Sequence, residues 1–183
     1  RALLPATWGL VNWWEGERRA GARHINARAE SIATARPFRE AYRTGRCLVP
    51  ADGFFEWTGD KQVRRPFWFH RPDRAPFAFA GLYETARLSG EAEPSTTFTI
   101  VTTAPNDLVR PIHDRMPVVL PDEDAMAAWL YPEATPRDLK SLLRPLDERT
   151  LVVRAVSTRV NSVQHDDAAC IEEAEGETQA PLL

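Results

Sequence analysis

Lysine is nearly missing from this chain: of 23 basic residues only Lys61 and Lys140 are lysines, and the rest are arginines. Cysteine is scarce too. Cys47 and Cys170 form no Cys-x-x-Cys pair, which argues against a small-secreted disulfide framework and against a structural zinc site. A reducing, cytoplasmic setting is therefore expected. No run of about 18 apolar residues occurs, so no helix is long and apolar enough to span a membrane. The opening residues include Pro5 and Trp8 and lack the apolar stretch of a signal peptide. They also lack a starting Met, so the chain reads as an interior piece of a longer protein. Gly-x-Gly-x-x-Gly, the P-loop, Gly-x-Ser-x-Gly and His-Glu-x-x-His are absent, which disfavours nucleotide cofactors and zinc hydrolysis. No cofactor and no metal are expected.

What remains is an ordinary globular composition: 183 residues, 43% hydrophobic and 27% charged. That length predicts one domain, over 1–165, with an acidic tail over 166–183. The net charge of −3 hides an uneven spread. Residues 1–74 carry 14 basic against 8 acidic side chains, and the remainder carry 9 against 18. A basic half built from arginine suits a phosphate-binding face, because the guanidinium fork bonds phosphate bidentately. A compositional preference for arginine on a solvated surface is the competing reading.

The apolar pattern predicts a strand plus a turn over 8–14, a loop over 15–23 and a helix over 31–42, or one that begins at Pro37 with that proline in its first turn, with Gly45 as its stop. Strands follow at 46–51, 54–57, 66–70, 76–87, 98–103, 117–120 and 151–157, with a turn at Thr58-Gly59-Asp60-Lys61. Acidic residues after Pro121 open one helix, and Thr135-Pro136 opens another. Strands followed by helices give an α+β fold: a mainly antiparallel twisted sheet or open barrel with a few flanking helices.

Few residues qualify as chemical groups. His113 lies in a polar kink, Ile112-His113-Asp114-Arg115-Met116-Pro117, where an imidazole can titrate; a structural loop histidine is the alternative. In Phe54-Phe55-Glu56-Trp57, strand alternation puts Glu56 on the face of Phe54. If that face is interior, the carboxyl is desolvated and its pKa rises, as a general acid or base requires; an outward-facing edge strand is the alternative. Asn26 reads as a turn residue or a hydrogen-bonding group, and Arg28 and Glu30 share a face if extended. Trp13-Trp14, near Arg18-Arg19, can stack exposed bases or pack in a core. Cys47 reads as a small buried hydrophobe, and Cys170, among acids, as a poor nucleophile.

Read together, several strings resemble the SRAP family, the SOS-response-associated peptidase-like proteins. They are Trp8-Gly9-Leu10, Asn26-Ala27-Arg28-x-Glu30, Arg46-Cys47-Leu48-Val49-Pro50-Ala51-Asp52-Gly53-Phe54-Phe55-Glu56-Trp57, Phe79-Ala80-Gly81-Leu82-Tyr83, Phe98-Thr99-Ile100-Val101-Thr102-Thr103 and Ile112-His113-Asp114-Arg115-Met116-Pro117. They are collinear over about residues 8–165.

The resemblance implies single-stranded DNA binding and capture of abasic sites by a monomer, away from membranes and associated with the bacterial nucleoid. The family's nucleophile is a cysteine directly after the initiator Met, exposed when that Met is self-removed. Its α-amine condenses with the ring-opened sugar aldehyde and its thiol closes a thiazolidine, leaving a stable crosslink. Motif matches make Glu56 and His113 the acid/base pair and Asn26 a hydrogen-bonding partner of the cysteine or sugar. They make Arg28 and Arg115 phosphate ligands, Arg36 and Thr102 further DNA contacts, and Trp13 and Trp14 a stacking or wedging pair. The family's Met-Cys-Gly-Arg-Phe segment does not occur in this sequence, so the chain by itself is expected not to crosslink. A non-catalytic single-stranded DNA-binding module and a thiol peptidase are the alternatives.

Overall fold

The structure of the chain, a computed structural model, describes residues 2–60 and 64–174. The last residue of the expected 58–61 turn and the tail beyond Ala174 lie outside the described residues. The elements begin with β1 (Thr7–Trp8), a 3-10 turn at Arg18–Arg23, β2 (Asn26–Arg28) and α1 (Arg39–Thr44). Then come β3 (Arg46–Ala51), β4 (Phe54–Thr58), β5 (Arg65–His70), β6 (Phe77–Ala86) and β7 (Ser95–Thr103). Short strands β8 (Met116–Pro117) and β9 (Val119–Leu120) precede α2 (Glu123–Leu130), α3 (Pro136–Leu142) and β10 (Val152–Ala155). The fold is the expected α+β type, with no closed barrel among the described residues.

The described residues group into two compact units, one drawn from 1–50, 78–103 and 117–145 and the other from 51–77, 104–116 and 146–183. The first unit carries the larger sheet, ordered β1-β7-β6-β3, with β2 and β8 also on β7 and β9 on β6. The β6–β7 ladder is antiparallel, whereas β1 and β2 run parallel to β7. Leu10, Ile32, Leu82, Val101 and Trp129 are buried in its core. The Trp129 indole N–H is satisfied by the Cys47 carbonyl at 3.0 Å. Arg46 donates to the carbonyls of Tyr42, Trp129 and Tyr131 at 2.7, 2.8 and 2.6 Å, tying off the ends of α1 and α2. Thr135 and Asp138 form the capping box expected before α3, with Pro136 in the first turn.

Two expected elements are shorter than their full ranges. The strand over 8–14 ends at Trp8, because Gly9 has φ 113° and a Cβ there would run into the Gly21 carbonyl. Of the two readings for 31–42 the later start is the one observed: the helix is Arg39–Thr44, just after Pro37, with Gly45 as its C-cap. Pro37 cannot donate a helical hydrogen bond, so residues before it close turns on the Ser31 carbonyl instead.

The second unit is built on the antiparallel sheet β10-β5-β4. Its register places Phe54, Glu56, Phe67 and Phe69 on one face and Phe55, Trp57, Trp68 and Arg154 on the other. Phe54 stacks on Phe69 with ring centroids 4.9 Å apart. Gly53 precedes them because a Cβ would collide with the Trp68 indole and the Phe69 carbonyl.

Candidate active site and nucleic-acid interface

In the second unit the structure brings Glu56 and His113 together. Glu56 lies on the Phe54 face of β4, as alternation predicts, and its side chain is only 18% exposed. Its Oε1 is 3.7 Å from His113 Nδ1: ion-pair reach, too long for a direct hydrogen bond. Burial pushes the Glu56 carboxyl up to about 7, with the Asp114 carboxylate adding to the rise and His113 opposing it. A group half-protonated at neutral pH can both give and take a proton.

His113 is carried by a loop that is pinned from inside. Val109 and Ile112 are buried, and the Asn106 side chain accepts from Val109 N–H at 3.0 Å and donates to the Leu146 carbonyl at 2.9 Å. The Arg115 N–H lies 3.1 Å from His113 Nδ1, and the Arg115 carbonyl 3.0 Å from the same nitrogen. These two contacts hold the ring in place on the loop.

In the first unit, Asn26 and Arg28 are the outward residues of β2 and Ala27 between them is buried. Arg28 is in register with Thr102, which is itself buried. Trp13 and Trp14 do not pack in the core: they are 68% and 36% exposed. They meet edge to face at 5.5 Å, and the Arg36 guanidinium lies 5.7 Å from the Trp14 ring centre. With Arg39 and Glu40 these residues line an open groove of about 400 Å³. The tryptophans are held out by a closed turn. Glu15 accepts from the backbone N–H and side-chain amide of Asn12 at 3.0 and 2.8 Å, and donates its own N–H to the Asn12 carbonyl at 2.9 Å.

The sequence reading did not single out Asn12, Glu15 or Asn106. The Asn/Asp turn signal could have found Asn106, which opens the stretch before His113. Asn12 and Glu15 bracket the Trp pair at the i, i+3 spacing of a turn. Cys47 is half-buried rather than fully buried, and desolvation pushes its thiol up to about 12; Cys170, expected in an acidic tail, is buried. Among the described residues no group of His, Cys, Asp and Glu could hold a metal ion.

The family model described as SOS response associated peptidase (SRAP) matches residues 1–163. The abasic site processing protein YoqW of Bacillus subtilis is 41% identical over 167 residues, covering 90% of this chain and 74% of that protein. The abasic site processing protein HMCES of Gallus gallus is 28% identical over 194 residues, covering 93% of this chain and 57% of that one. Among solved structures, a Bacteroides thetaiotaomicron protein superposes with a TM-score of 0.81 at 28% identity, covering 91% of this chain and 75% of that chain.

Proposed function

Because the chain belongs to the SRAP family, we propose that it processes abasic sites in single-stranded DNA by forming a covalent DNA–protein crosslink. The observation that carries this reading is the Glu56 carboxyl at about 7 beside His113. The relatives' names supply the substrate, an abasic site.

An abasic sugar in its open form offers an aldehyde. An α-amine has an ordinary pKa of about 7.7–8.0, so a carboxylate that titrates near 7 is matched to accept its proton. The freed amine adds to the aldehyde carbon and loses water to give a Schiff base. The thiol then adds across that C=N bond, sulfur to carbon and proton to nitrogen, closing the thiazolidine. Glu56 moves the amine proton and His113 moves the proton that opens the sugar. Asn26 holds the sugar or the cysteine. Arg28, Arg36 and Arg115 take phosphates, and Trp13 and Trp14 stack on bases, as single-strand binders do. Thr102, in register with Arg28, is a further DNA contact in this reading. The amine and thiol come from the family's cysteine after the initiator Met, since the half-buried Cys47 thiol is pushed up to about 12 and Cys170 is buried. The same reading places the protein with the DNA in the cytoplasm.

The test is a denaturing gel with uracil-glycosylase-treated single-stranded DNA. It compares the chain preceded by Met-Cys-Gly-Arg-Phe with the same chain without that segment. The proposal expects a heat-stable shift with the segment, slowed by Glu56→Ala or His113→Ala. No shift from either chain while both bind DNA would replace it with the binding-module reading.

A further inference from the structure

We propose that the face of the three-stranded sheet opposite Glu56 binds the phosphodiester backbone of a nucleic-acid strand, through Arg64, Arg74 and Arg154. The proposal adds to the function above and does not rest on it.

The β4–β5–β10 register sets Phe55, Trp68 and Arg154 in one cross-strand row on this face, with Trp57 two residues along. Arginines cover the indoles. Arg74 and Arg154 lie 4.4 and 4.9 Å from the Trp68 ring centre, and Arg64 lies 5.1 Å from that of Trp57. Trp68 is 3% exposed, so no base can stack on it. The rings act here as supports. A guanidinium held over an indole face still has N–H donors for an anion, and its fork suits phosphate.

Among the described residues no salt bridge joins Arg64, Arg74 or Arg154 to an acid. Neighbouring arginines that have partners show the contrast: Arg71 pairs with Asp73 at 2.9 Å and Arg159 with Asp167 at 2.5 Å. The Arg74 side chain is exposed and lies over the Trp68 ring, while its backbone N–H donates to the Arg71 carbonyl at 3.0 Å. Arg154 donates to the Ile171 carbonyl, while its Nε is buried without a hydrogen-bond partner. Burial and then the Arg74 charge lower the Arg154 pKa, with exposed Glu173 opposing. His70, its ring tilted against Trp68 with centroids 4.1 Å apart, is lowered by burial and by the same two arginines. Two like charges on one indole repel each other, and a phosphate between them would reverse that. Trp57 and Trp68 are diagonal neighbours, a separation of about 7–8 Å that matches the scale of successive phosphates on an extended strand. A row of such contacts fits a polyanion better than a single small ion.

The experiment measures fluorescence anisotropy of labelled oligothymidylates without abasic sites, about 6 and about 25 nucleotides long, across a salt series. The variant is Arg64→Gln with Arg74→Asn. Asn tolerates the positive φ of 58° at residue 74, and the half-buried Arg154 is left in place to protect the fold. The wild-type chain should bind the long oligonucleotide more tightly than the short one. The variant should lose about tenfold on the long one at low salt. Its log–log salt slope should fall by about 1.4, at about 0.7 per phosphate contact, with short-oligonucleotide binding unchanged. An unchanged affinity and slope for the long oligonucleotide, or wild-type binding independent of length, would overturn the inference and leave the abasic-site reading standing. Competition by inorganic phosphate that erases the length dependence at equal anion concentration would also overturn it, as the mark of a small-anion site. Loss of crosslinking in the abasic-site test would leave this result untouched.

Discussion

Glu15 and Glu56 make an instructive pair. Their side chains are 15% and 18% exposed, yet their acidities move in opposite directions. Burial pushes both up. At Glu15 that push is outweighed by the two Asn12 hydrogen bonds, with help from His24 and Arg23, and the pKa falls. Glu56 meets His113 only at 3.7 Å and has the Asp114 carboxylate nearby. One carboxylate is saturated and builds a turn, while the other is left short of partners and can do proton chemistry. Solvent exposure alone does not distinguish a structural acid from a reactive one; the hydrogen-bond inventory does.

The largest effect that sharpens this contrast is on rate. Glu56→Gln removes the titrating group, so crosslinking by the chain carrying the Met-Cys-Gly-Arg-Phe segment should slow by about 100-fold or more, read from gel time courses. Stability should move the other way. A carboxyl raised from 4.5 to about 7 binds its proton more tightly in the folded state, so its contribution to stability falls as pH rises through that window. Glu56→Gln should therefore be more stable than wild type above about pH 7, by up to about 3 kcal/mol in urea unfolding. Glu15→Ala should do the reverse, costing about 1–3 kcal/mol, because buried Asn12 loses the acceptor of its N–H groups. The Glu15 contribution is present above the ordinary carboxylate range and is lost as pH falls through the lowered folded value. The smallest effects come from the neighbours: Asp114→Asn should lower the Glu56 pKa, and His113→Gln should raise it.

Much of this was legible in the chain. Period-two alternation through Phe54-Phe55-Glu56-Trp57 gave the right face for Glu56, and Thr135-Pro136 gave the start of α3. The strands from 46 onward fell within a few residues of their observed ends because β-branched and aromatic runs met clear turns. What was not legible depends on long-range closure. The exposure of Trp13 and Trp14 follows from the Asn12–Glu15 turn and the break at Gly9, and composition does not distinguish a core pair from a surface pair. The pattern alone did not choose between the two starts for α1; Pro37 overrides an apolar periodicity that otherwise fits a longer helix. The arginine stack on Trp68 depends on the β10–β5 register, which joins residues far apart in sequence.

The central claim is that Glu56 titrates near neutrality, and the most direct measurement is an NMR titration of its side-chain carboxyl carbon, assigned by its loss in Glu56→Gln. The account predicts a midpoint at about 7. A midpoint near the ordinary 4.5 would contradict it and remove the proton-transfer role from this residue.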